Sequence, residues 1–269
     1  MSQDERLTKD ERKHEAREKL RLAREAELKK KKRKSLFLKL GIVFGVIAAL
    51  AVVVLIVINM NKSNDYTTVS QPENMIENSV VVGSGNRLVS EIPEGAARVT
   101  IFQDYLCPAC KQFEEAKGSE IDQLISDGTA VIDYKVVTFL DAQSMGTNYS
   151  SRAANAAYCV ANEYPDQFFT YNKLLYSNQP AEGTEGLKNA DLIALADSIG
   201  AENLDSCIKD GTFRGFAKQA NKDSLDSGIQ GTPTIHINGQ EWDKQGSLYD
   251  AAKEAGPADD SAEPAPGEN

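Results

Sequence analysis

The sequence predicts an α/β domain that is split by an inserted helical block and preceded by one transmembrane helix. Three observations carry this expectation. Nineteen uncharged, mostly apolar residues run from Leu40 to Ile58. Strand-like and helix-like segments alternate between about residues 80 and 255, with a run of helices in the middle. A Cys-x-x-Cys motif, Cys107 to Cys110, stands where the first strong strand signal gives way to a helix.

Charge divides the chain before any element is placed. Residues 1–40 carry 15 Lys and Arg against 8 Asp and Glu, net +7, whereas the remainder carries 15 against 32, net −17. The two parts therefore face different environments, and so acidic a major part excludes nucleic acid as its partner, because phosphate neutralisation needs clustered Lys and Arg. The apolar run, extended to residues 36–59 if Lys39 snorkels, matches the roughly 20 residues needed to cross a bilayer. It is too long for the apolar core of a cleaved signal peptide, and Asn59-Met60-Asn61-Lys62 offers no small-residue cleavage site. An uncleaved signal anchor is expected. The basic run Lys29 to Lys34 abuts it, which places the N-terminus in the cytoplasm and everything after Asn59 outside. Gly41 and Gly45 form a GxxxG pattern, a minor candidate for a dimerisation face.

Residues 1–35 read as a solvated cytoplasmic helix, with Glu5/Lys9, Glu15/Lys19, Glu25/Lys29 and Glu27/Lys31 at i,i+4 and no apolar face. Its lysines suit anionic headgroups. Residues 60–79 are polar and read as a linker, and 256–269, acidic and proline-rich, as a disordered tail. Between them, residues 80–255 form the folded domain. Val80–Val82 and Ala97–Tyr105 are β-branched and aromatic strand candidates. The helix that follows presents Phe113, Ala116, Ile121, Leu124 and Ile125 on one face, with an interruption expected near Gly118. A second buried strand is expected over Ala130–Leu140. The block at about 141–228 then reads as helices over Ser150–Glu163, Pro165–Ser177, Asn189–Ser198, Leu204–Asp210 and Thr212–Ser227. Thr234–Ile237, an Asn238-Gly239 turn and Glu241-Trp242 make a hairpin, and a last helix runs from Ser247 to about Glu254.

The chemistry lies in the cysteines. A first cysteine placed at the start of a helix sits over unpaired amides and the positive end of the helix dipole, which stabilise thiolate. Cys107 is thus expected to be the exposed attacking sulfur and Cys110 the buried resolving thiol. Pro108 fits the first turn, where its missing N–H costs nothing. A zinc site would want four ligands, but Cys159 and Cys207 are isolated and the histidines are only His14, in the basic leader, and His236, on a strand. A purely structural bridge across two intervening residues would be strained. His236 alternates with Ile235 and Ile237, so it is expected to point to solvent or a groove. Cys159 and Cys207, each beside apolar residues, are either buried thiols or, in an oxidising compartment, a structural disulfide; the disulfide is the favoured reading.

The segments FQDYLCPAC, AANAAYCVANEYPDQFFTYNKLLYSNQ and GIQGTPTIHINGQ resemble the thioredoxin-like DsbA group, in particular its membrane-anchored extracytoplasmic members from Gram-positive bacteria. The resemblance covers about residues 80–255. The 123 positions from Cys110 to Pro233 leave room for the helical block that thioredoxin itself lacks. It implies a thioredoxin-like fold and a thiol-disulfide oxidoreductase that oxidises reduced secreted proteins, with no metal and no dissociable cofactor, reoxidised by a membrane partner linked to quinone. It also implies that Pro233 is cis and packs with Thr232 against the Cys-x-x-Cys; from the residues alone a trans proline starting an edge strand is the simpler reading. Two departures stand out. The third motif position is Ala109, where the best-known members carry histidine, and the family's buried acid, six before the first cysteine, aligns with Ile101. Asp104 is the nearest substitute and reads equally well as a satisfied turn residue. The same site would serve a reductase or isomerase, and a tethered non-catalytic binding module is the rival of another class.

Overall fold

The computed structural model describes residues 69–258, together with Glu18 and Arg21. The expected cytoplasmic helix (apart from those two positions), the transmembrane helix over 36–59, the first part of the linker and the tail from 259 onward lie outside the described residues. Among the described residues, no helix is long and apolar enough to cross a membrane.

The chain is docked before the first strand. Glu73 donates its backbone N–H to Asn162 Oδ1 at 2.8 Å, and Ile76 and Ser79 form an isolated bridge. Strands β1 (Val80–Gly83) and β2 (Arg87–Leu88) follow, then β3 (Ala97–Gln103), α1 (Pro108–Asp127) and β4 (Ala130–Val136). The helical block holds α2 (Tyr149–Glu163), α3 (Phe168–Ser177), α4 (Asn189–Asp197), α5 (Asp205–Asp210) and α6 (Arg214–Asp226). The chain closes with β5 (Thr234–Ile237), β6 (Gln240–Glu241) and α7 (Leu248–Ala255).

These strands make one six-stranded sheet in the order β2-β1-β4-β3-β5-β6. β3 and β4 run parallel, Ala97 against Ala130 through Gln103 against Val136, because α1 carries the chain across one face of the sheet before it returns. β5 lies antiparallel on the other side of β3, pairing Ile101 with Ile235 and Thr100 with His236. Strand alternation sends Val99, Ile101, Ile132, Tyr134 and Ile235 into the main core, and Thr100, Phe102 and Asp133 to the opposite face.

α1 is continuous through Gly118, so the expected interruption does not occur: nine residues follow before the left-handed Gly128 ends the helix, and the missing Cβ there costs only modest propensity. Its buried face is Cys110, Ile121, Leu124 and Ile125, each apolar side chain contributing about 1.5–3 kcal/mol by burial. Ala116, assigned to that face by periodicity, is exposed. The second strand stops at Val136, four residues short of the expected Leu140, because residues 137–140 turn toward the segment after β3, where Leu140 N donates to Asp104 Oδ2. β2 had no alternating pattern to announce it. At the other end, Ala258 N donates to Ala96 O at 2.9 Å, so the start of the acidic tail is tied down.

Candidate active site

The site forms where β3 ends. Cys107 occupies the N-cap of α1 in extended conformation, and Pro108 opens the first turn. The Cys107 carbonyl accepts from Cys110 N at 3.1 Å and Lys111 N at 3.2 Å, which closes that turn. Opposite it lies the Gly231–Pro233 loop entering β5, with a cis Thr232-Pro233 peptide bond, and the Cys107 thiol donates to Thr232 O at 3.3 Å. The loop covers the sulfur. Cys107 is only 7% exposed rather than open to solvent, a correction to the expectation, because the N-cap side chain turns inward under Thr232. Cys110 is buried beneath it, and both cysteines are free thiols.

The two sulfurs sit in different electrostatic surroundings. Cys107 is lowered from 9.0 to about 6, chiefly by the hydrogen bond from the Cys110 thiol, helped by the Thr232 side chain and by the backbone amides of Cys110 and Ala109, and opposed by burial. Burial, reinforced by Cys107 itself, pushes Cys110 well above the ordinary thiol range. One thiol is thus mostly thiolate at neutral pH while its neighbour holds its proton, the division of labour that thiol exchange requires. Ala109 contributes a backbone N–H but no side-chain donor.

Asp104 is fully buried three residues before Cys107. Its Oδ1 accepts from Leu106 N at 2.8 Å and Ser150 Oγ at 2.6 Å, and its Oδ2 from Leu140 N at 2.9 Å. Burial raises it to about 6 in spite of these three donors. Its three bonds tie the turn before Cys107 to Leu140 and to Ser150 of α2, and its burial holds the carboxyl above the ordinary range. Ile101 points into the core between β4 and β5 and carries no proton.

Other residues were missed. Glu114, four beyond Cys110 on the same side of α1, has a buried Oε1 without a hydrogen-bond partner, and burial raises its carboxyl above the usual range. A cleft of about 280 Å³ opens beside it between α1 and α3, lined by Lys111, Glu114, Lys173 and Tyr176. The i,i+4 spacing from Cys110 was a usable signal. Gln179, just past α3, donates to Tyr105 O at 3.1 Å and Cys107 O at 2.9 Å, and nothing local in the sequence marks it. His236 is half-buried and stands edge-on to Phe102, ring centroids 5.3 Å apart; burial lowers its pKa. Cys159 of α2 and Cys207 of α5 are joined by a disulfide with Cα atoms 6.0 Å apart, inside the helical block and away from the Cys107 turn. Among the described residues, no cluster of three His, Cys, Asp or Glu side chains is placed to hold a metal ion.

Comparison with known proteins agrees with this geometry. The family model described as Thioredoxin matches residues 93–253. Disulfide bond formation protein D of Bacillus subtilis is 35% identical over 167 residues, 59% of this chain and 71% of that protein. The serine/threonine-protein kinase PknE of Mycobacterium tuberculosis is 36% identical over 146 residues, 51% of this chain but 26% of the kinase, so the chain spans about a quarter of that relative. Among solved structures, reduced DsbA from Mycobacterium tuberculosis superposes with a TM-score of 0.54 at 30% identity, covering 66% of this chain and 98% of that one.

Proposed function

Since the chain belongs to the thioredoxin family, in its DsbA-like thiol-disulfide oxidoreductase branch with a helical block inserted in the core, we propose that it is a membrane-anchored extracytoplasmic enzyme that introduces disulfides into secreted proteins through Cys107 and Cys110. The observation that carries the reading is the pairing of an acidic N-cap thiol, at about 6, with a protonated, buried thiol one turn away.

In the oxidised enzyme Cys107 and Cys110 form a disulfide. A substrate thiolate attacks the Cys107 sulfur, the intramolecular S–S bond breaks, and Cys110 leaves as a thiolate that takes up a proton, with Asp104 as the nearby group able to supply it near neutral pH. A second substrate thiolate then attacks the substrate sulfur of the mixed disulfide. Cys107 departs as the stabilised thiolate and the substrate leaves oxidised. Electrons balance: two enter the Cys107/Cys110 pair for each disulfide made. A membrane partner linked to quinone accepts them afterwards, as the family resemblance implies. Substrate backbone pairs at the Thr232–Pro233 edge, where the chain enters β5. No metal or dissociable cofactor takes part.

The anchor is supported by the uncharged run Leu40–Ile58 and the adjoining Lys29–Lys34, and an extracytoplasmic position by the Cys159–Cys207 disulfide. The test is refolding of a reduced, denatured secreted protein by the full chain. Disulfides should form with the wild type and not with Cys107→Ser, and protease added to intact spheroplasts should remove the domain. A chain that reduces insulin but forms no disulfide in the client works in the reductive direction, and one that does neither is a binding module.

A further inference from the structure

One face of α3 is wired to the active-site turn. Asn172, Tyr176 and the following Gln179 recur at helical spacing, and all three meet the loop between β3 and α1. Asn172 Oδ1 accepts from Gln103 Nε2 at 2.7 Å and from the Tyr105 hydroxyl at 2.9 Å. The Tyr176 ring packs on Tyr105, centroids 5.3 Å apart. Gln179 reaches furthest: its Nε2 places one proton on Tyr105 O and the other on Cys107 O, which uses both donors of the amide.

The Cys107 carbonyl is also the first acceptor of α1, taking Cys110 N and Lys111 N. Its orientation therefore sets the turn whose amides, at Ala109 and Cys110, aim at the Cys107 sulfur. We propose that Gln179 is a positioning residue for Cys107: from the end of α3 its side-chain amide clamps the carbonyls on both sides of Leu106 and holds the turn that presents the sulfur. This rests on the reading of Cys107 as the attacking thiol. With its donors engaged on backbone oxygens, Gln179 acts through the turn rather than on the substrate, and it makes the helical block a working part of the thiol centre.

The test compares the full chain in detergent micelles with Gln179→Met, similar in length but without donors, and Gln179→Glu, which sets an acid against the same two oxygens. The Cys107 pKa is read from the pH dependence of alkylation, the redox equilibrium from glutathione buffers, and stability from urea unfolding. Gln179→Met is expected to lower the Cys107 ionisation constant about three- to tenfold and, at pH 7, to shift the glutathione equilibrium about two- to sixfold toward the disulfide. Gln179→Glu should do more than Gln179→Met above the pH at which its carboxyl ionises, and below it, with one O–H donor left, should fall between Gln179→Met and the wild type. Gln179→Met decides the matter alone if the acid variant does not fold. Unchanged ionisation and redox equilibrium, with a lowered unfolding midpoint, would reduce Gln179 to a structural tie and overturn the proposal while leaving the oxidoreductase reading intact. A wild-type Cys107 of ordinary acidity would overturn both.

Discussion

The lowered pKa of Cys107 makes the stability of the reduced protein depend on pH in a calculable way. The thiol ionises at about 6 in the fold against 9.0 in an ordinary thiol. A lowered acid adds stability that is fully present above the unfolded value and lost as pH falls through the folded value. Between about pH 6 and 9, each unit therefore adds about 1.4 kcal/mol to the reduced fold over its unfolded chain. Cys110 works the other way once the unfolded thiol ionises, so the clean window ends near pH 8.5. His236, lowered by burial, and Asp104, raised by it, titrate mainly below the window. Cys107→Ser serves as the reference because it removes the thiol and leaves those groups in place. Guanidinium unfolding of the full chain under a non-thiol reductant, at pH 7 and pH 8, should show the wild type gaining about 1.3 kcal/mol over Cys107→Ser across that one unit. Parallel pH profiles for the two proteins would refute the stabilised thiolate.

Three further outcomes follow from named contacts. Asp104, raised to about 6 from 3.8, binds its proton more tightly in the fold, so stability should fall by about 2 kcal/mol as pH rises from 4 to 6; Asp104→Asn should flatten that decline in denaturant titrations, at a constant cost of about 1 kcal/mol for facing Leu140 N–H with a second donor. Opening the Cys159–Cys207 disulfide by double serine substitution should cost about 4 kcal/mol for a 48-residue separation and leave the alkylation rate of Cys107 unchanged. Ala109→His adds a donor or a positive charge beside the first sulfur and should raise the reduction potential against glutathione buffers, a 30 mV rise being worth about 1.4 kcal/mol for two electrons; an unchanged or lower potential would show that residue 109 does not reach the thiolate.

The parts of the fold legible in the sequence were those with a period or a punctuation mark. β3 and β4 carry β-branched runs buried on both faces, β5 alternates buried Ile235 and Ile237 with half-buried neighbours, and α1 is announced by Pro108 and ended by Gly128. Gly118 misled because a glycine weakens a helix without breaking one that is packed along Ile121, Leu124 and Ile125. β2 is two residues long and has no period to read. At the site, the Cys107–Cys110 spacing was readable as chemistry because it is local. The contact of Thr232 with Cys107, across 125 residues, was legible only through the family resemblance, and the burial it imposes on the sulfur was not legible at all. Burial of Asp104 depends on Ser150 and Leu140, and the tie at Gln179 on a helix 72 residues beyond Cys107. Such groups acquire their roles from tertiary contacts, which no window on the sequence contains.

The most direct test of the exchange mechanism is capture of its intermediate. Cys110→Ser in the full chain removes the resolving thiol and leaves Cys107 to hold its partner. The variant, loaded at Cys107 as a mixed disulfide with a small thiol, is incubated with a reduced, unfolded secreted protein, and the trapped product is mapped by mass spectrometry. The account predicts a covalent adduct linked through Cys107, absent from Cys107→Ser. No adduct, or one linked elsewhere in the chain, would contradict it.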